Sequence, residues 1–294
     1  MHISVLLHEI LDHANLTPGA VYFDGTLGGG GHAKAIYEKY APITVIGCDA
    51  DETAVARAEA ILRDAGCEPT LFVSNFRQAS SIFAERSLSR PDLILLDLGL
   101  SSFQFDTDKR GFSFRQDEPL QMTLTAQAGD AMTAYDVVNG WEEENLITIF
   151  QNYGEERFAK RIAAAIVAAR AKAPITTTTM LAEIAKNAVP VFARFGRIHP
   201  ATKIFQAIRI AVNDELGALR EGIASLFELL APNGQLMIIS FHSLEDRIVK
   251  NYFNTFKEEG RGQVITKKPI VPTDSETEAN PRSRSAKLRI IKKL

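Results

Sequence analysis

A glycine-rich segment near the start of the chain carries its clearest chemical signal. Asp24 ends a short apolar run, and four consecutive glycines, Gly28 to Gly31, follow shortly after it. Because glycine lacks a Cβ, such a segment can turn sharply and let a ligand approach the main chain closely. The spacing D-x-x-x-G-x-G, from Asp24 to Gly30, is typical of enzymes that bind S-adenosylmethionine, whereas G-x-G-x-x-A, from Gly28 to Ala33, also fits a dinucleotide. The glycines alone therefore leave both cofactors open.

Two further carboxylates end apolar runs later in the chain. Asp49 lies about twenty residues beyond the glycines, where an acidic side chain accepts hydrogen bonds from the ribose of either cofactor. Asp97 opens an acceptor-rich segment, Asp97 to Ser102. Such a segment suits methyl transfer to an exocyclic amino group, because that nitrogen becomes a useful nucleophile only when acceptors hold its hydrogens. We expect Asp97 either to do this or to bind the amino group of the cofactor. Since the segment contains no Cys, N-methylation is favoured over methylation of a ring carbon.

Two side chains with rings are further candidates. Phe76 follows the third apolar run and is predicted to lie against an adenine ring, although a core position suits a Phe equally well. His242 follows the fifth run and is a candidate catalytic residue, with Glu245 and Asp246 nearby. Ser243-x-x-Asp246 is also a capping-box pattern, so these polar residues can simply start a helix. No histidine has a partner at a spacing typical of zinc sites, and we predict no metal.

Short apolar runs alternate with stretches that suit helices. This alternation predicts an α/β fold with a mostly parallel sheet. Three of the runs end in an aspartate, at the edge where open α/β sheets bind ligands. We predict one long helix over residues 201–230 and a loop over residues 273–285. The predicted strands are Ala20–Asp24, Ile43–Asp49, Thr70–Ser74, Asp92–Asp97, Gln235–Ser240 and Lys287–Lys292.

Between the fourth and fifth strands the pattern becomes helical. Leu146, Ile149 and Phe150 recur at helical spacing, and later apolar residues continue the period. We therefore predict a catalytic domain that binds the cofactor, formed by residues 1–105 and 200–294, and a helical insert over residues 106–199.

The composition is that of a globular protein in a reducing compartment. No apolar run approaches the roughly 18 residues that a membrane helix needs, and the first residues lack the pattern of a secretory signal. The two cysteines, Cys48 and Cys67, show neither disulfide nor metal-site spacing. We expect a cytoplasmic protein without membrane contact.

Basic residues are concentrated locally rather than overall. The net charge of −3 gives no general attraction to nucleic acid, so any RNA contact depends on local patches. The segment from Pro281 to Leu294 holds six basic residues and no acidic one. Its candidate phosphate contacts are Arg282, Arg284 and Lys287. Weaker candidates in the insert, because their predicted helix also carries acidic residues, are Arg157, Lys160 and Arg161.

Across nearly its whole length the sequence resembles the bacterial 16S ribosomal RNA cytosine-N4 methyltransferase family. So many segments match in order that a chance resemblance is implausible. They are Asp24-Gly25-Thr26, Gly30-Gly31-His32, Asp97-Leu98-Gly99, Arg110–Phe114, Tyr153–Ala159, His199–Thr202, Phe205–Ala207, Arg209-Ile210, Val212-Asn213, Ser240–Arg247 and Asn280-Pro281-Arg282.

The resemblance implies a class I methyltransferase (Rossmann-like) fold whose helical insert helps to recognise RNA. It implies transfer of a methyl group from S-adenosylmethionine to the exocyclic N4 of a decoding-centre cytidine in 16S rRNA, with the assembled small ribosomal subunit as substrate. Arg110, in a matching segment, joins the candidate RNA contacts. The implied cofactor contacts are Gly30, Gly31, His32, Asp49, Phe76, Asp97 and Gln104.

One segment departs from the family pattern. After Phe114 the family usually reads Asp-Gly-Pro-Leu-Asp-Met-Arg-Met, whereas residues 117–124 here read Asp-Glu-Pro-Leu-Gln-Met-Thr-Leu. Glu118, Gln121 and Thr123 therefore replace a Gly, an Asp and an Arg, and a change in substrate preference or activity is one possible consequence. Three alternatives stay open: a non-catalytic ribosome-assembly factor that binds RNA, a dinucleotide-dependent oxidoreductase, and a methyltransferase with another nucleic acid as substrate.

Overall fold

The protein consists of two compact units in a computed structural model that describes residues 4–99, 109–125, 131–196 and 198–294. Met1–Gly99 and Leu216–Leu294 form the first unit, and Leu100–Glu215 forms the second. The second unit is longer at both ends than the predicted insert of residues 106–199. The main difference is a helix over residues 200–213, whose apolar face is part of the core of the second unit.

A mostly parallel sheet lies at the centre of the first unit. Among the described residues it has seven strands in the order β3-β2-β1-β4-β5-β7-β6. Strands β1 to β5 pair in parallel, and β7 is antiparallel to both β5 and β6. This arrangement confirms the predicted class I methyltransferase fold. The strands are β1 (Val21–Asp24), β2 (Thr44–Asp49), β3 (Thr70–Val73), β4 (Leu93–Asp97), β5 (Gln235–Ser240), β6 (Gly262–Val264) and β7 (Lys287–Lys293).

Both faces of this sheet are covered, which explains why its strands read as continuous apolar runs. Successive side chains of a strand point to opposite faces. In β1, Tyr22 belongs to one hydrophobic cluster and Phe23 to another. In β4, Leu95 and Leu96 divide in the same way. β1, β2 and β4 each end in a polar residue. These polar side chains therefore lie at the carboxyl edge of the sheet rather than within its apolar interior.

Helices connect the first strands. The second helix follows the glycine loop directly, and the third is capped by Asp51, whose side chain accepts a hydrogen bond from Thr53 N. A 3₁₀ helix, Phe76–Gln78, follows β3. The helices of this part are α1 (Leu7–His13), α2 (Gly31–Tyr40), α3 (Glu52–Asp64) and α4 (Ala79–Glu85).

The second unit is helical, as its apolar spacing predicts. Leu146, Ile149 and Phe150 are buried on one helix and join residues of the neighbouring helices in a single hydrophobic cluster. The helices are α5 (Ala134–Gly140), α6 (Glu143–Asn152), α7 (Ala159–Arg170), α8 (Thr178–Ala188), α9 (Val191–Arg194) and α10 (Pro200–Asn213).

The single helix predicted over residues 201–230 is wrong. It is interrupted at Asp214, which has a left-handed φ of 48° and caps the end of α10. The next helix, α11 (Glu215–Leu229), begins immediately. A left-handed residue ends a helix, and Gly or Asn is its usual signal. Because an aspartate occupies this position and the apolar residues continue beyond it, the sequence pattern did not reveal the break.

The last part of the chain contains more structure than predicted. The helix α12 (Ser243–Glu258) follows β5, as the capping pattern at Ser243 predicted. The predicted loop over residues 273–285, however, includes α13 (Asp274–Ala279) and a 3₁₀ helix, Pro281–Ser285. These two short helices have polar sequences without apolar periodicity, so the sequence pattern did not predict them. Short helices held by caps need little of that periodicity. Across the described parts of the chain, no helix has the length and apolar character needed to cross a membrane.

Candidate functional site

The carboxyl edge of the sheet brings the loop after β1 against the end of β4. Since β1 pairs in parallel with β4, the carboxyl ends of these two strands lie side by side. Gly25 N donates a hydrogen bond to Leu95 O at 2.9 Å. Asp97 N donates to the Thr26 hydroxyl at 2.6 Å. These two bonds hold the start of the glycine loop next to Asp97.

The conformation of the glycine loop depends on packing within the protein. Gly28 and Gly30 have φ angles of 51° and 75°, in the left-handed region that glycine adopts most easily. A Cβ on Gly30 would lie 3.0 Å from the main chain of Ala58, and a Cβ on Gly31 would lie 2.3 Å from Ser4 Oγ. The sequence prediction attributed these glycines to a ligand, and the structure adds that α3 and the segment before α1 also require them.

Asp49 ends β2 beside this loop and binds two main-chain amides. Its Oδ2 accepts a hydrogen bond from Gly28 N at 2.8 Å, and its Oδ1 accepts one from Asp51 N at 2.9 Å. Each carboxylate oxygen has two lone pairs, so a further donor can bind. The residue is also partly exposed. Asp49 can therefore orient the glycine loop and still accept a hydrogen bond from a ribose hydroxyl.

His32 and Asp97 lie together at the centre of the site. His32 Nδ1 is 3.6 Å from Asp97 Oδ2, and His32 Nε2 is 2.9 Å from Val5 O. Because a carbonyl oxygen only accepts hydrogen bonds, Nε2 carries a proton, and Nδ1 is the ring nitrogen that faces Asp97. His32 is buried, with 7% of its surface exposed. Its side chain therefore acts on the site through Asp97.

Desolvation shifts the pKa of each ionisable group in this cluster. It raises the pKa of Asp97 to about 7, with a smaller contribution from the charge of Glu245. It raises the pKa of Asp24 to about 6, although the nearby His32 acts in the opposite direction. It lowers the pKa of His32. All three groups are thus biased toward their uncharged forms, and a cationic ligand would favour ionisation of the two acids.

Asp97 has an oxygen that is suited to such a ligand. Its Oδ1 is buried and has no hydrogen-bond partner within the described ranges of the chain. A buried acceptor without a partner is energetically unfavourable and indicates a donor or a positive charge opposite it. S-adenosylmethionine brings a sulfonium and an ammonium group and fits this oxygen. A dinucleotide would bring negative phosphates toward acidic side chains, which is electrostatically unfavourable.

Phe76 lies next to the glycine loop and packs on α11. A Cβ on Gly222 would lie 2.5 Å from the Phe76 ring, and a Cβ on Gly25 would lie 3.2 Å from the Phe76 Cβ. Glycine at both positions therefore makes room for this side chain. Phe76 is only partly buried, so part of the ring remains available to an adenine.

His242 caps α12, one residue before the predicted cap. Glu245 Oε2 accepts hydrogen bonds from Phe241 N at 2.8 Å and from His242 N at 3.2 Å. In return, the His242 side chain accepts from Glu245 N, which completes a capping box. The predicted pairing of Ser243 with Asp246 is therefore wrong. His242 Nε2 lies 3.2 Å from Glu245 Oε1, without the geometry of a hydrogen bond. A catalytic role for His242 stays a prediction.

Arg110 lies inside the second unit. Only 6% of its surface is exposed, and its guanidinium donates hydrogen bonds to the carbonyls of Thr123 and Leu124, at 3.2 and 2.8 Å. A guanidinium buried in this way holds its own unit together and is not placed to meet an RNA phosphate. The predicted RNA contact at Arg110 is therefore replaced by a structural role.

The segment that departs from the family pattern is partly buried in the second unit, with Glu118 and Thr123 buried and Gln121 exposed. Glu118 stands where the family usually has Gly and is 8% exposed. Its Oε2 accepts a hydrogen bond from Gly111 N at 2.9 Å, and its own N–H donates to Thr178 Oγ1 at 3.1 Å. Gly111 has a left-handed φ of 78°. Glu118 thus stabilises the turn at Gly111, and the departure at this position is satisfied by local hydrogen bonds.

The basic residues near the carboxyl end of the chain divide between the sheet and the surface. Lys287 and Arg289 lie in β7 and pair with Asp246 at 3.2 and 2.6 Å. Arg289 is buried, with 8% of its surface exposed. Arg282 and Arg284 lie on a 3₁₀ helix and are exposed. The predicted phosphate contact at Lys287 therefore competes with Asp246, whereas Arg282 and Arg284 keep the exposure that such a contact needs.

Some contacts at the site were not predicted. The Thr26 hydroxyl accepts a hydrogen bond from the main-chain N–H of Asp97. The Val5 carbonyl oxygen contacts Nε2 of His32 and so sets the tautomer of the ring. Thr26 belongs to the first matching segment, which was its only signal. Val5 had none, because its partner is distant in the sequence. The predicted cofactor contact Gln104 lies outside the residues that the structure describes, as do Ser101 and Ser102.

Comparison with known proteins gives one consistent set of similarities. The model of the MraW methylase family matches residues 1–294. Ribosomal RNA small subunit methyltransferase H of Carboxydothermus hydrogenoformans is 46% identical, over 100% of this chain and 98% of that protein. The protein of the same name in Deinococcus deserti is 48% identical, over 100% of this chain and 94% of that protein. The crystal structure of an rRNA methylase from Streptococcus thermophilus has a TM-score of 0.46 and 10% identity, covering 98% of this chain and 93% of that chain.

Proposed function

The chain belongs to the MraW methylase family, and we propose that it transfers a methyl group from S-adenosylmethionine to the exocyclic N4 of a decoding-centre cytidine in 16S rRNA. The relatives at 46% and 48% identity are named ribosomal RNA small subunit methyltransferase H. The observation that carries the proposal is the buried Oδ1 of Asp97, which has no hydrogen-bond partner among the described residues and lies on the carboxylate next to His32. Membership of a methylase family sets aside the oxidoreductase and the non-catalytic assembly factor.

We assign the parts of the cofactor to the groups along the carboxyl edge of the sheet. Asp49 accepts hydrogen bonds from the ribose, and Phe76 lies along the adenine. The main chain around Gly30 and Gly31 binds the amino-acid half, near the amino end of α2. Gln104 is a further contact on the basis of family resemblance. His32 lies beside Asp97, with its Nδ1 3.6 Å from Asp97 Oδ2, and is also a proposed cofactor contact.

Asp97 is placed at the reacting end. When bound, S-adenosylmethionine supplies an electrophilic methyl group on a positively charged sulfur. The lone pair of a cytosine amino nitrogen is delocalised into the ring, so an acceptor that holds one of its hydrogens increases its nucleophilicity. The Asp97 carboxylate is such an acceptor once it is ionised. Transfer would form the nitrogen–methyl bond as the carbon–sulfur bond breaks and S-adenosylhomocysteine leaves. The nitrogen would then carry a positive charge, which the same carboxylate would stabilise until the extra proton is lost.

The chain contributes mainly by positioning. In-line alignment of the nitrogen, the methyl carbon and the sulfur is an orientation effect, which can lower a barrier by several kcal/mol. We propose that the second unit binds the RNA around the target nucleotide and that the substrate is the small ribosomal subunit in the cytoplasm. Arg282 and Arg284 on the first unit are proposed phosphate contacts.

The direct test is nucleoside mass spectrometry of 16S rRNA from cells with and without the gene. We expect one N4-methylated cytidine to disappear on deletion and to return when the wild-type gene is restored. A gene for Asp97→Asn should fail to restore it, because an amide lacks the charge and the acceptor strength of the carboxylate. Asp64→Asn, a change at an exposed carboxylate of the same unit, should restore the modification fully.

A second measurement separates the substrate from the chemistry. Purified protein should transfer labelled methyl groups from S-adenosylmethionine to small subunits that lack the modification. Label in another nucleoside, in DNA or in protein would replace the proposed substrate. Persistence of N4-methylcytidine in the deletion strain, with no transfer in vitro, would overturn the proposal altogether.

A further inference from the structure

An exposed aromatic surface lies around α9 in the second unit. Val191, Phe192, Phe195 and Ile198 lie within eight residues of one another and are 65%, 74%, 79% and 59% exposed. Single exposed apolar residues are common, but several large ones close together in the chain indicate an interaction site. Phe192 lies on α9, and Phe195 directly follows the last residue of this helix. We call Arg157, Phe158, Phe192 and Phe195 the aromatic platform.

A basic side chain is built into this platform. The guanidinium carbon of Arg157 lies 4.5 Å from the centre of the Phe158 ring and 5.6 Å from that of Phe192. The two rings are 6.3 Å apart and meet edge to face. Arg157 is exposed and is held by ring faces, so its positive charge is not neutralised by the contacts that fix it. An arginine stacked on aromatic rings is also a planar surface for a base.

Basic side chains predominate next to the platform, although Glu155, two residues before Arg157, is also exposed. The chain from Arg157 to Arg170 contains four basic residues and no acidic one. Lys160 and Arg161 are exposed, and neither pairs with a carboxylate among the described residues. The acidic residues that weakened this region as a sequence-based candidate precede the helix, and one of them, Glu156, turns inward and accepts a hydrogen bond from Phe158 N. The surface therefore combines exposed rings with cations that are available to an anion.

We propose that the aromatic platform stacks an unpaired base of the RNA substrate while Arg157, Lys160 and Arg161 bind the adjacent phosphates. This inference rests on the proposed function for the identity of the RNA. Exposed rings beside free cations match a nucleotide, which presents a flat base next to a negative phosphate. A second copy of the chain fits less well, because a two-fold contact through this surface would bring the two sets of cations together.

The test uses variants of the exposed rings, which disturb no buried packing. Replacing both rings, Phe192→Ala with Phe195→Ala, should weaken binding of a labelled single-stranded RNA of twelve nucleotides at least tenfold, since stacking is worth about 1–3 kcal/mol per base. In methyl transfer to unmodified small subunits, the same variant should raise KM with little change in kcat. Phe192→Tyr should bind RNA like the wild type, because it keeps the ring, and Phe192→Leu should bind weakly, because it keeps only apolar surface.

Matched controls separate this proposal from its alternatives. Tyr135→Ala removes another exposed aromatic ring of the second unit, 40% exposed, and should leave RNA binding unchanged. Binding of S-adenosylhomocysteine should be equal in all variants, which confirms that the first unit is intact. The oligonucleotide assay needs no methyl transfer, so it tests the platform even where the proposed function fails.

The proposal is overturned by wild-type RNA binding in the double alanine variant or in Phe192→Leu. It is also overturned by a wild-type dimer that the double alanine variant dissociates.

Discussion

The ionisation of Asp97 affects both the stability of the folded protein and its binding of a cationic ligand. Its pKa is raised to about 7, mainly by desolvation. An acid whose pKa rises on folding holds its proton more tightly in the folded state, so its contribution to stability is complete at low pH and is lost as the pH rises toward 7. Binding of a cation has the opposite requirement, because it needs the ionised carboxylate. The free protein therefore bears an unfavourable charge that a cationic ligand neutralises.

This opposition predicts that cofactor binding depends on pH. Below about pH 7, affinity for S-adenosylmethionine should fall about tenfold for each pH unit, because the carboxyl group must lose its proton before binding. Isothermal titration calorimetry between pH 5.5 and pH 8 measures this directly. Asp97→Asn should bind weakly with little dependence on pH near 7, and should unfold at a higher temperature than the wild type at pH 8.

The control for this experiment is Asp64→Asn, which should keep the pH dependence of the wild type. His32, Asp24 and Glu245 also interact electrostatically with the site, and the Asp97→Asn variant retains all three. A wild-type affinity that is flat from pH 5.5 to pH 8 would show that Asp97 does not face the positive charge of the cofactor.

At the scale of elements, the start of α12 connects helix capping to the charge of the site. Glu245 is buried, with 3% of its surface exposed, and binds the main-chain amides of Phe241 and His242. Its charge also raises the pKa of Asp97. One side chain therefore starts the helix after β5 and influences a carboxylate at the end of β4. The two strands are neighbours in the sheet, which makes this possible.

Two substitutions at Glu245 should separate these effects. Glu245→Gln keeps an acceptor oxygen for both amides but removes the charge, so stability should stay close to that of the wild type while the pH midpoint of cofactor binding decreases. Glu245→Ala leaves both amides without this partner and should lower the free energy of unfolding by about 1–3 kcal/mol. Urea denaturation and the calorimetric pH series measure the two outcomes.

Glu258→Gln is the matched control, because Glu258 ends the same helix and is exposed. It should change neither stability nor the pH midpoint. If Glu245→Gln leaves the midpoint where it is, the charge of Glu245 does not reach Asp97 in the functional protein.

At the scale of the whole molecule, RNA binding has to depend on local patches. The net charge is −3, so the overall field does not attract a polyanion. Exposed cations are instead grouped at Arg157, Lys160 and Arg161 on the second unit and at Arg282 and Arg284 on the first. Each phosphate that such a cation binds releases counterions, which makes affinity sensitive to salt.

Removal of two cations should therefore change the salt dependence as well as the affinity. For Lys160→Ala combined with Arg161→Ala, we expect the slope of log affinity for small subunits against log salt to decrease in magnitude by about 1–2. Lys267→Ala combined with Lys268→Ala removes the same charge from an exposed site of the first unit and should leave the slope unchanged. Equal slopes in the two double variants would mean that only net charge matters.

The class of fold and the main chemical groups could be predicted from the order of residues alone. Parallel strands with both faces covered require uninterrupted apolar runs, and β1, β2, β4 and β5 appear where such runs were predicted. Acidic residues at strand ends and glycines after β1 could be located because their positions follow from strand direction and backbone geometry. These are local properties, which a linear sequence records directly.

How these groups act together depends on contacts that form only in the folded protein. Val5 sets the tautomer of His32, and Glu245 raises the pKa of Asp97, although each pair is far apart in the sequence. Burial turned Arg110 from a candidate RNA contact into a structural residue. Folding also brings Lys287 and Arg289 of β7 next to Asp246 of α12. Ionisation, tautomer and exposure depend on which groups surround a side chain in space, and the order of residues along the chain does not specify that environment.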